Sequence, residues 1–104
     1  MTFSDYYDFC VELDEAEPSF PFDKNTLAFK TRNKIFALTD SLDFSFINLK
    51  CEPEKAIELR ERYQGIKPGY HMNKKHWNSV HINQDVPDEI IYDLINHSFA
   101  LVKA

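Results

Sequence analysis

Between Lys67 and His81 the chain gathers the side chains best suited to chemistry outside a hydrophobic core: Lys67, Tyr70, His71, Asn73, Lys74, Lys75, His76, Trp77, Asn78 and His81. Three of the four histidines of the sequence fall in this stretch. Cations interleaved with flat rings suit a polyanion. Lys67, Lys74 and Lys75 can meet phosphates, and Tyr70, His71 and Trp77 can stack on bases, with His76 beside them. Lys30, Arg32, Lys34 and Lys50 extend the patch if their strands turn the same way. Roughly three to five phosphate contacts imply weak, strongly salt-dependent binding. The bland reading of the same residues is a solvated loop in which His71 and His76 bond backbone groups and Trp77 anchors the loop to the core.

Other chemistries find less support. A site built from His71, His76 and His81 is poorly spaced for a metal, because His76 and His81 are an odd number of residues apart and a strand would point them to opposite faces. Cys51 precedes a helix start, which lowers a thiol pKa, but its register points it inward. Cys10 lies on an apolar helix stripe. With only Gly65 and Gly69 in the chain there is no glycine-rich phosphate loop. No catalytic constellation, metal or cofactor is expected.

The 104 residues suit one domain spanning 1–104, since either half alone would bury too little apolar area. A net charge of −5 and a pI near 5.3 repel phosphate at long range, so nucleic-acid binding requires a segregated basic face. Two distant cysteines are not a disulfide framework. The start of the chain has no basic-then-apolar leader, and no stretch approaches the roughly 18 apolar residues of a membrane helix. A cytoplasmic protein with free thiols and no membrane partner is expected.

The elements that must position the cluster follow from periodicity and end signals. Phe3, Tyr6, Tyr7, Cys10 and Val11 form a helical stripe, and Thr2 with Asp5 resembles a capping box. The helix fades in Glu12–Glu17 before Pro18 and Pro21. Thr26–Thr31 and Lys34–Thr39 alternate as strands, with Leu27 and Phe29 against Ala28 and Lys30, and Ile35 and Ala37 against Phe36 and Leu38. Arg32-Asn33 joins them as a two-residue hairpin. Phe44–Cys51 is a third strand, with Phe44, Phe46, Asn48 and Lys50 on one face.

Pro53–Tyr63 is a helix, with Ala56, Leu59 and Tyr63 lining one side supported by Ile57. Gly65 is expected as its C-terminal cap and Ile66 as the apolar partner. Gln64–Lys75 reads as a loop with a type II turn at Lys67-Pro68-Gly69-Tyr70. Trp77–Ile82 is a fourth strand and Pro87–Val102 the last helix. The fold class is α+β: an antiparallel sheet with helices packed on one face, in the order α-β-β-β-α-β(β)-α, the optional strand following Ile82. The second face would then carry some of Phe36, Leu38, Phe44, Phe46 and Trp77.

The string PGYHMNKKHWNSV at 68–80 resembles the signature of the MmcQ/YjbR-like family. Further agreement in order comes from Phe20-Pro21-Phe22, Lys34-Ile35-Phe36-Ala37-Leu38, Leu49-Lys50-Cys51-Glu52-Pro53-Glu54, Asp88-Glu89-Ile90-Ile91 and Ser98-Phe99-Ala100-Leu101-Val102. Nearly the whole chain is covered. Asn33 stands where glycine would be expected, and Phe99 where tyrosine would be. The resemblance implies a small bacterial α+β domain with a secretion-chaperone-like or CyaY-like shape, and brings a DNA-binding label and a double-wing description. Two readings result. One is a cytoplasmic, non-enzymatic domain binding DNA through the Lys67–Trp77 loop and the hairpin. The other is a protein-binding, chaperone-like module, a homodimer, using an apolar sheet face.

Overall fold

Thr2 opens the first helix, α1 (Phe3–Val11), with a reciprocal cap. Its hydroxyl accepts from the Asp5 amide at 3.1 Å and the Asp5 carboxylate accepts from the Thr2 amide at 3.0 Å. The computed structural model describes residues 1–104. After α1 come β1 (Glu17–Ser19), β2 (Thr26–Thr31), β3 (Lys34–Asp40), β4 (Phe46–Lys50), α2 (Pro53–Arg62), β5 (Ile66–Pro68), β6 (Trp77–His81) and α3 (Asp88–Lys103). The six strands form one antiparallel sheet in the order β1-β2-β3-β4-β6-β5.

The two-residue hairpin stands as expected. Arg32 and Asn33 both adopt positive φ, 51° and 64°, which matches the twist of the flanking strands. Asparagine enters this region more readily than most residues, so glycine is not required. Just past the turn a bulge interrupts the register: Phe29 pairs with Ala37 but Lys30 pairs with Ile35. The extra residue, Phe36, therefore joins Ala37 in the core instead of sharing a face with Leu38. The bulge also leaves a gap beside β4, and α3 fills it. The Ser98 hydroxyl donates to the Phe36 carbonyl at 2.6 Å and accepts from the Lys50 amide at 2.9 Å.

All three helices cover one sheet face. Tyr6 of α1 meets Phe29 edge-on at 5.7 Å, and Phe36 meets Phe99 of α3 at 5.2 Å. The core runs through Leu27, Phe29, Ile47, Leu49, Ile66, Val80, Ile91 and Ile95. Each such side chain contributes about 1.5–3 kcal/mol by burial. Phe44 lies ahead of β4 and so escapes its alternation. It packs on Phe3 and Tyr6, on the helix side. Of the five residues expected for the second face, Leu38, Phe46 and Trp77 lie there.

Other expectations are corrected. The additional strands are β1 and β5, not a segment after Ile82. Ile57 points to solvent. Neither glycine has positive φ, so there is no type II turn at Gly69 and no left-handed cap at Gly65; α2 closes at Tyr63 in extended backbone. Close approach fixes both glycines instead. A Cβ on Gly65 would stand 2.9 Å from Asp85 Oδ1, and one on Gly69 2.8 Å from Trp77 Cβ. The Asp85 carboxylate instead fixes the chain just past α2, accepting from the amides of Gln64 and Gly65 at 2.6 and 2.7 Å. Desolvation raises its pKa, but these amides, its own amide and the charge of Lys67 together outweigh it and hold the carboxyl below its ordinary value.

Both edge strands of the sheet contain a proline. Pro18 lies in β1 and Pro68 in β5. On β5 the Gly65 and Gly69 positions bond inward to β6, through the His81 amide and the Trp77 carbonyl. By alternation Ile66 and Pro68 face the open edge. The Ile66 amide donates to Tyr63 O at 3.3 Å, and Pro68 has no donor. That edge offers no free N–H to an incoming strand.

Candidate functional site

The face without helices carries Leu38 beside Asn48, Phe46 beside His81, and Lys50 beside Trp77. Residues 69–76 fold back over it, held by Asn73, Lys74 and Asn78, which sequence analysis singled out, and by Asn48, Ser79 and Arg60, which it did not. The Tyr70 amide donates to Ser79 Oγ at 2.9 Å, Ser79 donates to Asn48 Oδ1, and Asn48 Nδ2 donates to Tyr70 O at 3.1 Å. Asn73 Oδ1 accepts from the amides of Lys75 and His76 at 3.0 and 3.3 Å. Lys74 Nζ donates to Gly69 O at 2.7 Å. From α2, Arg60 donates to Asn78 Oδ1 at 2.6 Å and also to the carbonyls of Lys74 and Trp77. His71 takes φ 58°, and its ring centroid lies 4.0 Å from that of Tyr70.

This loop forms one wall of a cleft of about 420 Å³. Leu38, Phe46 and Asn48 lie within it; Tyr70, His71 and Met72 stand on one side and Phe22 on the other. The Phe22 loop is held by Asp23, which accepts from the Thr26 and Asn25 amides at 2.7 and 2.8 Å. These bonds, with that from the Thr26 hydroxyl, lower the Asp23 pKa. Asp40 and Asp43 also line the cleft; no lysine or arginine does. Phe22 and Tyr70 are 66% and 59% exposed, and Leu42, between the two aspartates in sequence, is 80% exposed. Large apolar side chains thus stand exposed at the cleft, in Phe22 and Tyr70, and outside its lining, in Leu42.

The cations of the expected patch are distributed differently. Lys74 is engaged within its own loop. Arg32 pairs with Glu15 at 3.5 Å and donates to Lys103 O, and Lys30 lies opposite Glu17 across β1–β2. Lys34 is exposed at the hairpin. Lys50 and Trp77 form a cross-strand pair, with Lys67 on neighbouring β5 and Lys75 exposed in the loop. Trp77 is half-buried on this face and is not a core anchor; its carbonyl, which accepts from Gly69 and Arg60, does the tethering.

His76 contributes its backbone carbonyl to the Cys51 amide, and His81 Nδ1 lies 2.9 Å from Gly65 O. No three His, Cys, Asp or Glu side chains stand close enough to hold a metal ion. Both cysteines are free and buried. Burial pushes the Cys10 thiol up to about 12. It raises Cys51 as well, against the opposing pull of Lys55, so the lowering expected from the α2 N-terminus is overturned. Sequence reasoning missed Arg60, Asp40 and Asp43 as parts of the site. The only local signal for the cleft was Phe20-Pro21-Phe22, an apolar run too short and proline-broken to be core.

Comparison with known proteins gives consistent results. A family model described as YjbR matches residues 11–101. YbdF of Escherichia coli O157:H7 is 44% identical over 93 residues, covering 88% of this chain and 76% of that protein. YjbR of Escherichia coli K12 is 31% identical over 100 residues, covering 95% and 85%. The crystal structure of Deinococcus radiodurans protein DR2400, a DUF419 domain, superposes with a TM-score of 0.93 at 40% identity, covering 98% of this chain and 78% of that one. A crystal structure from Pseudomonas syringae gives 0.83 at 29% identity, covering 98% and 99%.

Proposed function

This chain belongs to the YjbR family, and on that premise we propose that it is a non-catalytic binding domain that receives an apolar segment of a partner protein in the cleft on its helix-free sheet face. The observation that carries this reading is the exposure of Phe22 and Tyr70 at the mouth of a cleft containing Leu38 and Phe46. The polar loop residues support it, because their hydrogen bonds build the wall of that cleft. Two buried free thiols suit a reducing cytoplasm, and no helix is long and apolar enough to cross a membrane.

Nile red, a neutral apolar dye, tests it. The dye is expected to brighten and shift to the blue with the native protein and to respond far less to Phe46→Ser. No brightening, or equal brightening with the variant, refutes the reading.

A second reading, DNA binding, draws on a different part of the same face, where Lys50 and Trp77 pair beside Lys67 and Lys75. It predicts weak binding of labelled duplex at low salt, lost in a combined Lys50→Ala, Lys67→Ala and Lys75→Ala variant and indifferent to Phe46→Ser. The chain's charge of −5 and the carboxylates pairing with Arg32 and facing Lys30 weigh against it.

A further inference from the structure

We infer that the cleft selects a cationic side chain on an apolar segment: an arginine, or a lysine, flanked by apolar residues of a partner protein. Resting on the protein-binding reading above, this specifies the chemistry of the partner. Among the residues lining the cleft the only full charges of fixed sign are Asp40 and Asp43, both exposed. Asp40 Oδ1 accepts from the amides of Leu42 and Asp43 at 2.8 and 3.1 Å, which leaves Oδ2 for a ligand. Neither carboxylate takes part in the ion pairs of the chain, which join Met1 to Asp88, Arg32 to Glu15 and Lys103 to Asp14.

Phe22, Phe46 and Tyr70 give the same cleft three aromatic rings. Ring faces attract cations, and a planar guanidinium both stacks on a ring and bonds a carboxylate. An apolar cleft with negative charge rejects phosphate and carboxylate ligands by the same field. Strand addition offers the partner no alternative at β5, whose edge lacks a free donor, and Pro18 interrupts the β1 edge. The segment must therefore enter the face.

Three peptides with blocked ends, carrying arginine, glutamine or glutamate between two leucines, separate the possibilities by amide chemical-shift titration. The arginine peptide is expected to shift Phe46, Tyr70 and Asp43 and to bind at least about fivefold more tightly than the glutamine peptide, with the glutamate peptide weakest. Asp43→Asn, which leaves the Asp40 turn intact, is expected to shrink that preference, and Asp40→Asn with Asp43→Asn to abolish it. Equal affinity for the arginine and glutamine peptides overturns the charge selection while leaving the apolar cleft in place. No binding by any of the three overturns both.

Discussion

Lys74 turns its ammonium back onto the carbonyl oxygen of Gly69, 2.7 Å away, and so acts as a clasp across the loop that sequence analysis read as a phosphate-binding patch. Its neighbour Lys75 is exposed and contributes only its backbone amide, to Asn73. Lys74→Ala is therefore expected to lower stability by about 1 kcal/mol, and Lys75→Ala to change it by less than about 0.5 kcal/mol. Urea denaturation of the two variants checks this; equal effects would remove the clasp.

Gly69→Ala should be more damaging than its size suggests. The new methyl would meet Trp77 Cβ at 2.8 Å and Met72 Cβ at 3.0 Å, so the loop must move off the sheet. A loss of about 1–3 kcal/mol is expected, with a change in Trp77 fluorescence. Unchanged stability and emission would show that the loop accommodates the methyl.

Ser98→Ala removes the one hydroxyl that serves both the bulged Phe36 carbonyl and the Lys50 amide. Ser98 is fully buried, so water cannot readily replace it. A loss of about 2–4 kcal/mol is expected from two deserted backbone groups, measured by thermal or urea unfolding. A loss below about 0.5 kcal/mol would mean that strands β3 and β4 close the gap by themselves.

His97 gives the fold a pH dependence of definite sign. Desolvation, reinforced by Lys55 and opposed by Glu52, lowers its pKa from 6.5, and its neutral Nε2 accepts from the Glu52 amide at 3.3 Å. The unfolded chain then binds the proton more readily, so stability is full above pH 6.5 and declines as pH falls below it. Asp5, Asp14 and Asp23, lowered from 3.8, lose their contributions only at more acidic pH. His97→Gln should flatten the loss in the window just below pH 6.5. An unaltered slope in that window assigns it to other groups.

What could be read from the chain depended on range. The helices and the β2–β3 hairpin announce themselves through period, caps and a positive-φ turn, all local. Strands β1 and β5 have three residues each and contain proline, so they carry no period to detect; only their neighbours make them strands. The bulge that sends Phe36 inward and the placement of Phe44 depend on register across the sheet. Lys74 and Trp77 were visible as notable residues, but whether an ammonium faces solvent or its own loop is a tertiary fact. The cleft joins Phe22, Asp40, Asp43 and Tyr70 from three separate segments, and its tether, Arg60, comes from a helix that otherwise reads as a solvated amphipathic element.

The most direct test of the binding face is hydroxyl-radical footprinting of the native protein with the arginine peptide. Protection of Phe22 and Tyr70 from oxidation, with Trp77 unaffected, is predicted. Unprotected Phe22 and Tyr70, together with protection of Trp77 by duplex DNA, would contradict the account and shift the site to the lysine-bearing part of the sheet.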